Sequence, residues 1–254
     1  MSAIRDAFSF LTILPASGAS AQNMAPARAY FPLVGIALGG ALALLDVGLG
    51  SLFPGPLTDA LLLSVLIAAT RGLHLEGFLD CCDGLFGGFS RERRLEILSD
   101  PHIGAFAAIG CGILLLTIWS ALIALTPPIR TIILVLFPCL SRWAMLLAMA
   151  TFPYTRRNGL GTAFILGASR WQVVVGLTPA TVASLLLAGW AGLVLLAVAS
   201  AIAWLLGAWI TRLLGGLTGD GYGVINELSA LGVLLTAVAF ARAWETLFAS
   251  PFTR

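Results

Sequence analysis

Long apolar runs dominate the chain, recurring near residues 30–53, 57–78, 102–126, 129–152, 171–191, 192–214 and 229–249. The hydrocarbon core of a bilayer is about 30 Å thick, and an α-helix needs about 20 apolar residues to cross it. Inside lipid a helix satisfies its own backbone hydrogen bonds, which an open strand cannot do. The expected fold is therefore all-α: one polytopic membrane bundle over residues 1–254, with six or seven transmembrane helices and functional loops at one face. Two regions are weakly marked. The second run loses its continuity near Thr70, and the fifth and sixth merge with little polar punctuation. With only 10% charged residues, the chain is neither an ordinary soluble globule nor disordered. A net charge of +2 gives no field suited to nucleic acid.

Arginine fixes the orientation, since every one of the fourteen cations is Arg. With the N-terminus in the cytoplasm, inside segments carry Arg5, Arg28, Arg71, Arg91, Arg93, Arg94, Arg156, Arg157, Arg170 and Arg212, against Arg130 and Arg254 outside. That bias follows the positive-inside rule. Residues 8–14 and Ala19-Ser20-Ala21 imitate a signal peptide, but Asp6 and Pro15 favour an uncleaved interfacial helix. Adjacent Cys81 and Cys82, with Cys111 and Cys139 in apolar runs, read as small buried hydrophobes.

The carboxylates gather on the same side: six of twelve fall between residues 76 and 100. Glu76, Asp80 and Asp83 are spaced i, i+4, i+7, so a helix places them on one stripe. Stacked like charges at the end of an apolar span need a cation to offset them, and hard oxygen donors suit Mg²⁺ or Mn²⁺. A solvated helix end is the bland alternative. The Gly84–Gly88 stretch and the arginines after it fit either phosphate binding or a surface anchor. Asp100-Pro101 reads as the N-cap and first position of a helix, with Asp100 also able to complete a metal site. Between Gly215 and Gly223, five glycines in nine residues read as a break where the chain leaves the membrane, bearing Asp220 and, seven residues on, Glu227. Arg156, Arg157 and Asn158 fit an anion-binding turn or a topology-setting loop. Arg142, in mid-span, calls for a partner inside the bundle, while Asp46 and the Arg242/Glu245 pair read as structural.

These residues carry a family resemblance. Gly72-Leu73-His74-Leu75-Glu76-Gly77, continuing through Asp80-Cys81-Cys82-Asp83-Gly84 to Arg93, resembles the signature of the cobalamin synthase family, the adenosylcobinamide-GDP ribazoletransferases. The likeness extends through Ser99-Asp100, Ser141-Arg142-Trp143, Arg157-Asn158-Gly159 and Gly219-Asp220 to Glu227, in order along the chain. Glu76 departs from it, standing where Asp is expected. The resemblance implies a bacterial inner-membrane enzyme with a cytoplasmic active site. It would transfer adenosylcobinamide phosphate from adenosylcobinamide-GDP to α-ribazole or its 5′-phosphate, releasing GMP with Mg²⁺ as cofactor. On that reading Glu76, Asp80 and Asp83 hold metal. Asp83, Asp220 and Glu227 serve catalysis, with Asp220 or Glu227 completing the metal shell or accepting the ribazole proton, and His74, Arg142, Arg156, Arg157 and Asn158 bind substrate. Its partners are those two substrates and the lipid bilayer, with no nucleic acid and a homo-oligomer left open. Asp80-Cys81-Cys82-Asp83-Gly84 is also similar to the D-x-x-D-G opening of CDP-alcohol phosphotransferases, though the rest of that motif is missing. A secondary transporter is the alternative of another class; acids at one face rather than mid-bilayer argue against it.

Overall fold

In the computed structural model, which describes residues 3–15, 24–155, 162–165 and 168–241, every long element is helical. The elements are α1 (Ala3–Leu11), a 3₁₀ turn (Ala25–Tyr30) running into α2 (Phe31–Gly50), α3 (Gly55–Ala69), α4 (Leu73–Gly87), α5 (Arg91–Ile97), α6 (Ala105–Ala124), α7 (Ile129–Thr151), α8 (Thr162–Ile165), α9 (Arg170–Leu214) and α10 (Gly219–Ala239). Among the described residues five helices are long and apolar enough to cross a membrane, or six if the bent α3–α4 pair is one span. Helix α9 breaks at Gly189 (φ 57°, ψ −136°). There the chain turns so sharply that a Cβ on Gly192 would lie 2.1 Å from the carbonyl oxygen of Ser184. The merged fifth and sixth runs are therefore two legs joined at Gly189, which makes six spans among the described residues, or seven if the bent α3–α4 pair is one span.

Two expected boundaries move. The second run does not continue to residue 78: α3 ends at Ala69, Arg71 and Gly72 take positive φ, and α4 leaves at 91°. The last span starts at Gly219 rather than near 229, so the glycine-rich segment expected as a loop is largely the first turns of α10. Thr218 caps it, accepting the Gly221 N–H at 3.2 Å. Residues 242–254, with the Arg242/Glu245 pair, lie outside the described residues.

Helix α7 is the axis of the bundle, buried on nearly all sides from Ile133 to Met149. Lipid-like solvent gives no hydrophobic drive between helices, so close packing of small residues must supply it. Gly35 and Gly39, one turn apart on α2, do so: a Cβ on either would lie 2.3–2.7 Å from α7 backbone at Leu134, Val135, Pro138 or Cys139. Gly35→Leu is expected to force α2 off α7 and cost about 1–3 kcal/mol or more. Thermal unfolding in detergent should show it as a lowered Tm; an unchanged Tm would refute the contact.

The two ends of the bundle differ in charge. At one end Arg130 donates to both Asp46 oxygens and to Asp59, tying α7 to α2 and α3, which gives Asp46 its structural role. At the other, α1 docks through Ala7 and Leu11. Arg71 donates there to the carbonyls of Ser9 and Phe10, and Arg91 to the C-terminal carbonyl of Leu214. Gly84 and Gly88 pack against Leu98 and Arg94 of the α5 segment, so their smallness lets α5 close over the end of α4. Cys81, Cys82 and Cys139 are buried and Cys111 partly so, none of them in a disulfide.

Candidate active site

The arginine-rich end holds two cavities, of about 350 and 610 Å³. Glu76, Asp80 and Asp220 border both. Helix α4 supplies the first two from one stripe, as their spacing predicts. Asp220 comes from α10, and glycine brings the two helices together. A Cβ on Gly77 would meet the Asp220 backbone at 2.9 Å, and one on Gly223 would meet the His74 carbonyl oxygen at 2.6 Å. Three glycines in the first turns of α10 each weaken the helix by about 1 kcal/mol relative to Ala. The close approach they permit is what carries Asp220 to the carboxylates of α4.

Asp83 and Asp100 are placed differently from expectation. Asp83 borders neither cavity. Its carboxylate accepts the N–H groups of Gly104 at 2.6 Å and Ala107 at 2.9 Å, satisfying orphan donors at the start of α6. Helix α6 begins at Ala105 with Gly104 at its N-cap, four residues later than the Asp100-Pro101 signal suggested. Asp100 instead borders the larger cavity beside Ser99 and Pro101. The backbone N–H and the Nδ1 of His102 hydrogen-bond its Oδ1, holding this exposed carboxyl below its ordinary pKa.

Two further residues sit differently from expectation. Arg142 is 2% exposed and borders neither of these cavities. It faces Glu227 across a void of about 30 Å³ and interacts with it electrostatically. Glu227 is thus Arg142's partner within the bundle, and it too stands off the cleft walls. Asn226 donates to Glu227 at 3.0 Å. Neither Arg142 nor Glu227, both expected at the substrate, lies on the wall of either cavity. His74 does line the smaller cavity, 3% exposed, and neither ring nitrogen has a hydrogen-bond partner among the described residues. Arg156, Arg157 and Asn158 lie outside the described residues.

Sequence reasoning missed the rest of that cavity's wall: Phe10, Phe164, Tyr154, Tyr222, Met145 and Met149. Aromatic and thioether side chains at helical spacing read as core, and most of these are buried as core would be. The i, i+4 methionines of α7 were the available signal. Tyr154 and Tyr222 lie parallel within 6°, centroids 6.3 Å apart. Phe10 and Phe164 close the cavity from α1 and α8, centroids 4.5 Å apart.

Among the described residues no three His, Cys, Asp or Glu side chains already form an ion cage. Magnesium seldom needs one: it keeps several waters and takes one or two carboxylates together with substrate phosphates. Two carboxylates one turn apart on α4, with a third across from them on α10, match that donor chemistry.

The fold and the cleft define a multi-span membrane protein with a carboxylate-bordered, two-chambered cleft at one end of its bundle. Residues 3–238 match the family described as cobalamin-5-phosphate synthase, and the chain belongs to that family. Relatives named adenosylcobinamide-GDP ribazoletransferase include one from Geotalea daltonii, 36% identical over 236 residues covering 92% of this chain and 95% of the relative. Another, from Desulfitobacterium hafniense, is 36% identical over 239 residues, covering 91% and 94% of the two chains. A third, from Ectopseudomonas mendocina, is 38% identical over 242 residues, covering 92% and 98%. No solved structure matches the chain.

Proposed function

We propose that this chain closes the nucleotide loop of cobalamin, transferring the adenosylcobinamide phosphate group of adenosylcobinamide-GDP to α-ribazole or its 5′-phosphate. The site faces the cytoplasm from the bacterial inner membrane, and the reaction depends on Mg²⁺. The observation that carries the reading is the position of Glu76, Asp80 and Asp220 on the walls of both cavities, where two substrates would meet. A ribose hydroxyl oxygen of α-ribazole attacks the phosphorus adjoining cobinamide. The bond from that phosphorus to the bridging oxygen breaks, GMP leaves with that oxygen, and the hydroxyl proton passes to a carboxylate.

Little covalent chemistry falls to the protein in such a transfer; position and charge govern the rate. Glu76 and Asp80 would hold the metal, with Asp220 completing its shell or accepting the proton. Bound there, Mg²⁺ would neutralise the diphosphate and stabilise the departing GMP. Asp83 positions α6 and thereby the Ser99–Ile103 wall of the larger cavity. Arg156, Arg157 and Asn158 keep the phosphate-binding role that the resemblance implies.

The test is GMP release by purified protein in lipid, with each substrate and the metal omitted in turn. Release should require both substrates and Mg²⁺, and EDTA should abolish it. Turnover that survives metal removal overturns the magnesium assignment; no release with either form of ribazole overturns the transfer.

A further inference from the structure

The smaller cavity differs in chemistry from the junction it opens on. Among the described residues the only charged side chains on its wall are Glu76, Asp80 and Asp220, all at the junction. Away from them the wall is aromatic and thioether, with Tyr154, Tyr222, Met145, Met149 and Phe164 around it. Besides the Tyr154 hydroxyl, two polar groups break that surface. The Tyr222 hydroxyl, on a residue 3% exposed, has no hydrogen-bond partner among the described residues, and neither has the imidazole of His74. Buried donors without partners cost free energy unless a ligand satisfies them.

Such a chamber selects a flat, uncharged ligand with an acceptor or two. At about 350 Å³ it lies at the small end of ligand cavities, far below what a corrin ring needs. Guanine is flat too, but its pairing edge presents two donors and an acceptor side by side, and among the described residues this wall offers no carboxamide and no carboxylate away from the junction to meet them. The methylated benzimidazole of α-ribazole has the complementary character. Its ring and methyl groups are apolar, and its one unsubstituted ring nitrogen accepts a single hydrogen bond. Methionine sulfur and aromatic faces pack well against such a ring.

We propose that the Tyr154/Tyr222/Met145/Met149 chamber is the subsite for the benzimidazole base of the acceptor, with Tyr222 or His74 donating to its free ring nitrogen. This rests on the transferase reading above. The base lies inside, its ribose stands at the mouth, and the attacking hydroxyl thereby reaches the junction carboxylates. The larger cavity, bordered by Ser99 and Asp100, is left to the nucleotide-activated corrinoid.

Steady-state kinetics of the lipid-reconstituted enzyme, varying each substrate separately, tests the assignment. Met149→Trp fills the chamber and should raise the KM for α-ribazole at least tenfold, while the KM for adenosylcobinamide-GDP stays within about twofold. Tyr222→Phe, which keeps the ring and the packing, should raise the α-ribazole KM about two- to tenfold if its hydroxyl is the donor. His74→Phe should do so if the imidazole is. A rise confined to the KM for adenosylcobinamide-GDP, or no change in either KM in any variant, overturns the proposal. Calorimetric titration with α-ribazole alone separates the two readings. Wild-type protein that binds α-ribazole, with Met149→Trp abolishing binding, yet releases no GMP, overturns the transfer and supports the chamber. Met149→Trp protein that fails to fold leaves the Tyr222→Phe and His74→Phe results to decide.

Discussion

Replacing Asp80 by asparagine is expected to lower GMP release by about 10²–10³-fold or more, the scale seen when a fixed electrostatic group is removed from a transfer site. Asp80 stands with Glu76 and Asp220 where the two cavities join, so its charge acts on the diphosphate whichever chamber each substrate occupies. The change is nearly isosteric, and the fold should survive it. Asp220→Asn should cost a comparable factor, and the double variant little more than the worse single one, because groups that act as a unit are not additive. Raised Mg²⁺ should partly restore Asp80→Asn if the residue binds metal, and should not restore a variant lacking only the proton acceptor. Full activity in Asp80→Asn at ordinary Mg²⁺ would sink the assignment. Asp83→Asn is the control, since its carboxylate caps α6 instead of bordering a cavity. Its effect should appear first in thermal stability.

The second large effect is on stability. Arg142 and Glu227 face each other deep in the bundle, and Arg142 is 2% exposed. Glu227→Ala leaves an uncompensated guanidinium in a medium of low dielectric, and the loss should approach about 3–5 kcal/mol, the cost of breaking a buried contact pair. Thermal unfolding in lipid nanodiscs should show the loss as a Tm many degrees lower. Replacing both residues by apolar ones of similar volume, Arg142→Met with Glu227→Leu, should recover most of it, since two apolar groups leave no charge stranded. If Glu227→Ala melts like the wild type while GMP release collapses, Glu227 belongs to the chemistry after all, and its burial behind the cavity wall is opened in the working enzyme.

The all-α membrane class was legible in the one-dimensional spacing of apolar residues, because a bilayer imposes a fixed length on every span. The α4 stripe was legible for a related reason: helical period alone puts Glu76 and Asp80 on one face. The end bearing the arginines was legible from their clustering. Other features needed the third dimension. Glycines at 215–223 read as a break because an isolated helix disfavours them, yet Gly77 and Gly223 are there so that two backbones can touch. Asp83 and Asp100 are chemically alike, and nothing local says which one meets α6. Only the path of α4 past Gly104 gives capping to Asp83 and leaves Asp100 on the larger cavity. The aromatic and methionine wall was hidden because a buried residue and a cavity-lining residue have the same polarity. What separates them is whether the space beside them is filled, a property of packing between helices distant in sequence.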